Sequence, residues 1–315
     1  MSKLPQAVQE TIANWLLTGE IELFLGYERG TVPLRATPIF VRRPEDVSRL
    51  IWDATCDNNL ATYLPKYRGK KVGIMVKGCD ARAIVGLIQE KQAVRANLRI
   101  VGASCPGVVD PKLVARELDL PVEDLGGAVV EGDAVVRQGT RLPVAKVMHD
   151  ICHHCRQHNP LEADLRVGEL VEDSGQGDPF AAVREMEALD AESRWERFES
   201  ELRRCNLCYA CRNACPLCYC ATCFVDRTTP RWMNQTVRPE DVQFYQIIRT
   251  FHLAGRCVGC GACSRACPQG VNLRLLLDKL RADVVEIYGY EAGLDAEAKP
   301  PLATYRENDY NDFVL

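Results

Sequence analysis

The 315-residue chain has little that would carry it to a membrane and little that would draw it to nucleic acid. No stretch approaches the ~20 consecutive apolar residues of a membrane-spanning helix. The opening residues, MSKLPQAVQETIANWLLTGE, mix polar and apolar types without a continuous apolar core, so they do not read as a secretory signal. Basic residues number 39 against 43 acidic, a formal net charge of −4, which leaves no positive field for a phosphate backbone. Also missing are a nucleophile beside a base, a phosphate-binding glycine loop and paired carboxylates in a recognisable frame. What the chain has in abundance is cysteine, 16 in all. Without a leader to an oxidising compartment, these thiols are expected to serve metals rather than disulfides, and the cytoplasm of an oxygen-avoiding cell is the expected location.

Eight of the cysteines fall into two copies of one pattern. The first is Cys205-x2-Cys208-x2-Cys211-x3-Cys215-Pro216, and the second is Cys257-x2-Cys260-x2-Cys263-x3-Cys267-Pro268. This is the bacterial two-cluster ferredoxin run, in which the fourth cysteine of each copy ligates the other cluster. The expected ligand sets are therefore Cys205, Cys208, Cys211 and Cys267 for one 4Fe–4S cluster, and Cys257, Cys260, Cys263 and Cys215 for the other. Structural zinc, the competing reading, favours sets built from two separated pairs, and two identical runs ending in Cys-Pro do not fit it well.

Periodicity places these runs in a two-domain chain. Residues 4–17 read as a helix with Val8, Ile12 and Leu16 on one face, and residues 21–25 and 31–41 read as strands with Gly26 and Gly30 marking the turn between them. Pro44, Glu45 and Asp46 suit a helix start. The segment Lys71–Val76, Gly78, Cys79–Gln89 and Leu98–Val101 spells strand, turn, helix, strand, the βαβ unit of a partly parallel sheet. Acidic, glycine-rich residues 172–178 read as a linker. Beyond it Ser193 and Glu196 form a capping-box pattern, and Trp195, Phe198 and Leu202 deliver a helix to Cys205. A further helix is expected over residues 239–254, between the runs, which points to an all-α module rather than a compact ββ ferredoxin. The expected architecture is an α/β domain over 1–175, an all-α dicluster ferredoxin-like domain over 176–290, and an extended arm over 291–315, possible cover for a neighbouring subunit.

Eight cysteines lie outside the runs. Cys152-x2-Cys155 reads as a metal site or a redox dithiol. Cys79 starts a helix after a strand, where the amide dipole favours a thiolate, and Cys105 ends the adjacent strand. These four could converge at one sheet edge as a third four-thiolate site, or Cys79 and Cys105 could be buried small hydrophobes. Cys56, Cys218, Cys220 and Cys223 make a further foursome, read either as a fourth cluster joining the two domains or as free thiols beside the cluster pocket, with zinc a lesser alternative. His149, His153, His154 and His158 crowd Cys152 and Cys155. They could tune that site or ligate zinc, and the commonest lot of such histidines is a solvated loop.

Residues from about 70 to 170 resemble the coenzyme F420 hydrogenase and formate dehydrogenase beta-subunit family. The resemblance rests on Val76-Lys77-Gly78-Cys79-Asp80-Ala81-Arg82-Ala83, on Ser104-Cys105-Pro106-Gly107, and on Cys152-x2-Cys155 with Ala163-Asp164 and Val167-Gly168 downstream. It implies a 4Fe–4S cluster on Cys79, Cys105, Cys152 and Cys155. The Ser/Gly-Gly stretch that resembles the family's flavin-binding part is missing; residues 1–65 offer only Gly19, Gly26, Gly30 and Arg29, so FAD is not part of the main expectation. The two cysteine runs resemble the iron–sulfur subunits of heterodisulfide-reductase-type complexes.

Together these features lead us to expect an iron–sulfur electron-transfer subunit of a cytoplasmic anaerobic oxidoreductase complex. It would relay electrons between a flavoprotein or ferredoxin and a catalytic subunit of hydrogenase, formate dehydrogenase, heterodisulfide-reductase-like or methylenetetrahydrofolate reductase type. The alternative is an FAD-containing enzyme that itself reduces a deazaflavin or a ferredoxin.

Overall fold

The computed structural model describes residues 3–172 and 178–305. The expected linker therefore lies almost wholly outside the described residues, as do residues 306–315 of the expected arm.

Helix α1 (Gln6–Leu17) leads into β1 (Leu23–Arg29) and β2 (Ala36–Val41), an antiparallel pair. The βαβ unit follows as β3 (Val72–Val76), α2 (Gly78–Gln89) and β4 (Leu98–Ala103). After α3 (Pro111–Glu117), a small antiparallel meander, β5 (Val129–Glu131), β6 (Ala134–Arg137) and β7 (Thr140–Pro143), precedes two single turns, α4 (Val144–Val147) and α5 (Asp150–His153). Strand β8 (Leu165–Val167) completes a five-stranded sheet of order β2-β1-β3-β4-β8, parallel except at its β2 edge.

Alternation along the strands sends neighbouring side chains to opposite faces. Leu25 and Tyr27, Ile74 and Val76 join one core, while Phe24, Met75 and Val101 join another under α1. The first core does not stop at the sheet. Past α6 (Ala181–Glu187), which lies outside it, the core continues through Ile84 and Leu87 of α2 into the C-terminal helices α7 (Ala191–Leu202), α8 (Ala210–Ala214), α9 (Pro239–Phe251), α10 (Ala262–Arg265) and α11 (Arg274–Tyr288), where Phe198, Tyr245 and Leu277 belong to it. Burying this apolar surface in one cluster packs the cysteine-bearing helices onto α2.

Three local expectations change. Gly26 lies inside β1 opposite Ile39 rather than in the turn; a Cβ there would come 2.5 Å from Leu50 Cδ2, so the close approach of that side chain accounts for it. The expected helix after Pro44 is a 3-10 turn, Pro44–Arg49. Helix α7 starts earlier than Ser193, because Asp190 caps it by accepting from the amides of Glu192 and Ser193. The start of the C-terminal arm runs over α2 of its own chain: Gln89 Nε2 donates to the carbonyls of Asp295 and Ala298, and Arg82 Nη2 donates to that of Ala292. Among the described residues no helix is long and apolar enough to cross a membrane.

Candidate metal centres

The two cysteine runs fold alike. In the first, Leu207 and Tyr209 take φ of 51° and 58°; in the second, the equivalent Gly259 and Gly261 take 68° and 69°. Left-handed backbone costs an L-residue roughly 1–2 kcal/mol, so the second run avoids with glycine a strain that the first accepts. Each loop then enters a short helix, α8 or α10, with the third cysteine of the run at its second position, and these two helices lie side by side.

That juxtaposition places Cys215 of the first run in one cavity with Cys257, Cys260 and Cys263 of the second. On the other side, the amide of Asn272, just beyond Cys267, donates to Glu201 Oε2 at 2.8 Å, joining the end of the second run to the approach to Cys205. Gln246 Nε2 donates to Cys205 Sγ at 3.5 Å, and Tyr245 Oη lies 3.8 Å from Cys211 Sγ.

A second cavity is lined by Cys79, Cys105, Cys152 and Cys155 together. Strand β3 and helix α2 deliver Cys79, the end of β4 delivers Cys105, and α5 with the loop after it delivers the pair. Close packing fixes their approach: a Cβ on Gly78 would come 1.8 Å from the carbonyl oxygen of Gln157, and one on Gly107 would come 2.4 Å from Met148 Sδ. His158 is buried rather than solvated. Its Nδ1 lies 2.9 Å from the Cys105 carbonyl oxygen, and the Cys105 amide donates to the His158 carbonyl at 2.9 Å, so the two loops are clamped reciprocally. His154 lines the cavity, and His149 Nδ1 sits 3.4 Å from Asp110. Cys260 lines this cavity as well as the preceding one.

The remaining four cysteines are distributed differently. Cys56 is buried in the first core, its thiol pushed up by burial, with Asp53, Lys77 and Cys105 among the groups that act on it. Cys218 pairs with Cys215, and that hydrogen bond lowers Cys218 while raising Cys215. Cys223 acts on Arg212, and Cys220 is exposed. Cys215, Cys218 and Cys220 line a cleft of about 560 Å³ between the 57–66 segment and the first run.

The unpaired donors around these thiols fit sulfide-bridged clusters. Buried Arg249 Nε, Arg281 Nε, Ser264 Oγ and Tyr209 Oη have no hydrogen-bond partner among the described residues, and each stands beside a cysteine run. Arg249 lies among Cys263, Cys211, Cys215 and Cys218, whose charge outweighs burial and holds the guanidinium above its ordinary value. Orphaned donors of this kind are what the sulfurs of a cluster accept. Burial pushes Cys105 up to about 12, with Cys152 adding to it, and pushes Cys257 up to about 12 against the pull of Arg281. Any metal bound by these thiols would have to displace their protons, so its loading would depend on pH.

Residues 200–271 match the family model of a 4Fe-4S dicluster domain. This stretch is a 4Fe-4S dicluster domain. Its presence gives the chain an iron–sulfur electron-transfer role. The chain carrying the dicluster domain is similar over most of its length to two curated proteins. It is 22% identical over 339 residues to the F420-dependent formate dehydrogenase subunit beta of Methanocaldococcus jannaschii, covering 88% of each. It is 25% identical over 350 residues to the F420-dependent formate dehydrogenase 1 subunit beta of Methanococcus maripaludis, covering 90% of this chain and 89% of that one. It also aligns with a chain of the F420-reducing [NiFe] hydrogenase complex from Methanosarcina barkeri at a TM-score of 0.40 and 17% identity, over 50% of this chain and 61% of that chain.

Three arginines beside the thiols are not legible in the sequence. Arg249, Arg265 and Arg281 carry no spacing signal; only tertiary packing shows that they stand among the thiols of the dicluster domain. Lys77 was visible only as part of a motif. In the fold it is buried, and its Nζ donates to Tyr27 Oη at 3.0 Å and to Asp80 Oδ2 at 2.9 Å.

Proposed function

We propose that the chain is the electron-relay subunit of a cytoplasmic, anaerobic, multi-subunit oxidoreductase, with three 4Fe–4S sites. The first would be held by Cys205, Cys208, Cys211 and Cys267, the second by Cys257, Cys260, Cys263 and Cys215, and the third by Cys79, Cys105, Cys152 and Cys155. One-electron transfer is the chemistry such clusters supply when bound. The chain's residues fix the spacing, bury the sulfurs and direct donors at them. The observation that supports the reading is that Cys260 borders both the cavity of the second set and that of the third, as a relay in sequence requires. The boundaries at 175 and 290 then separate a sheet domain bearing the third site from a helical domain bearing the other two, with the start of the arm packed across α2.

The partners in this reading are a flavoprotein and a hydrogenase- or dehydrogenase-type catalytic subunit, supported by relatives that are beta subunits of F420-dependent formate dehydrogenases. Cys56, Cys218, Cys220 and Cys223 are read as thiols outside the relay, supported by the place of Cys56 beside Cys105 and Lys77 and of Cys218 beside Cys215. Iron and acid-labile sulfide on anaerobically purified protein test the count. About twelve irons per chain are expected; about eight would remove the third site, and about sixteen would restore a fourth.

One observation favours a second reading, an FAD-containing enzyme that reduces a deazaflavin or a ferredoxin. The 560 Å³ cleft has the size of a cofactor site, carries Arg35, Lys66 and Arg265, and includes buried Asn59, whose Nδ2 is unpartnered among the described residues. Extraction of stoichiometric flavin, with turnover of F420 by the isolated chain, would replace the relay reading by this one.

A further inference from the structure

One of the cations where two of the thiol sets meet is Arg265; Arg281 lines the same cavity and acts on Cys257. Arg265 belongs to α10 of the second run, yet its side chain serves both halves of the molecule. Nη1 donates to the Cys260 carbonyl at 2.7 Å, and Nη2 donates to the Asp57 carbonyl at 2.8 Å, so the guanidinium ties the second run to the segment that follows Cys56. The same side chain lines the cavity of Cys79, Cys105, Cys152 and Cys155. A guanidinium stays charged when buried. Both hydrogen bonds go to neutral carbonyls rather than to a carboxylate.

We propose that Arg265 is a positioning residue that couples the second cluster to the third thiol quartet, its one guanidinium raising the reduction potentials of both while its two hydrogen bonds hold their separation. The inference rests on the reading of that quartet as a cluster site. A fixed positive charge between two redox groups stabilises the reduced form of each. Because both shift together, the driving force of the step between them is unchanged; a charge beside only one would change it. Arginine suits the place, since it remains charged when buried and its planar fork spans two carbonyls.

The test uses the full chain, purified anaerobically, with redox titration followed by electron paramagnetic resonance and iron counted on each sample. Arg265→Gln is expected to shift the reduction equilibria of the second and third clusters about tenfold toward the oxidised form, 59 mV for a one-electron couple, and to leave the Cys205 cluster in place. Arg265→Lys, which keeps the charge, is expected to retain both potentials. A shift confined to one cluster, no shift at all, or equal shifts in the Gln and Lys variants would overturn the proposal. If Arg265→Gln fails to load, the Lys variant decides: loss of either potential there overturns it too. Failure of the underlying reading looks different, because the unaltered chain would then carry only about eight irons.

Discussion

Lys77→Met tests whether the buried polar network under the third quartet is integral to the fold. Lys77 and Asp80 have side chains 2% and 0% exposed, and their ion pair spans 2.9 Å. Burial works against the Lys77 charge, but Asp80 and Tyr27 reverse the balance and hold it above its ordinary value; burial pushes Asp80 up despite Lys77. Methionine fills nearly the same volume, so the main loss is the cation. Removing one partner of a buried pair leaves the other uncompensated, at a cost of roughly 3–5 kcal/mol. Asp80 also accepts from the Lys77 amide at 3.2 Å, closing the N-terminus of α2, so adding Asp80→Leu sacrifices about 1 kcal/mol of capping while removing the stranded carboxylate. Anaerobic urea unfolding of iron-loaded protein, followed by far-ultraviolet circular dichroism, should show the double variant recovering most of the single variant's loss. A Lys77→Met penalty below about 1 kcal/mol, or two losses that simply add, would refute this account.

Crossed ligation gives a second expectation. Cys215→Ser should abolish the cluster held by the Cys257 run, and Cys267→Ala the one held by Cys205, Cys208 and Cys211; paramagnetic resonance showing each loss within its own run would contradict it. Gly78→Ala should destabilise by at least about 1–3 kcal/mol and empty the third site first, since the added methyl would meet the Gln157 carbonyl; retention of all iron in that variant would show that the Cys79 loop has slack. Anaerobic removal of iron with a chelator should unfold the helical half before the sheet, because Cys211 and Cys263 are part of its core. Hydrogen exchange that stays unchanged in α8 and α10 after iron removal would oppose this.

The amino-acid sequence determined the dicluster domain outright, since two tandem thiol runs at fixed spacing need no knowledge of the fold. It also determined the βαβ unit, because an apolar run, a glycine and a helical stripe are local signals, and α2 begins at Gly78, one residue ahead of the expected start. Gly26 and the start of α7 went astray locally for a different reason: a glycine needed for close packing looks like a turn, and Asp190 outcompetes Ser193 as a cap. Tertiary structure alone decided how separated thiols share cavities. Cys79, Cys105 and the Cys152–Cys155 pair come from three places in the chain and meet only because the parallel sheet aligns the ends of β3 and β4 beside the loop around α5. It also decided that Cys56 lies with Cys105 and Lys77, and that arginines without any motif of their own stand between sulfurs. Ligand spacing within one loop is a property of the local chain, whereas burial and charge between distant loops exist only once the chain has packed.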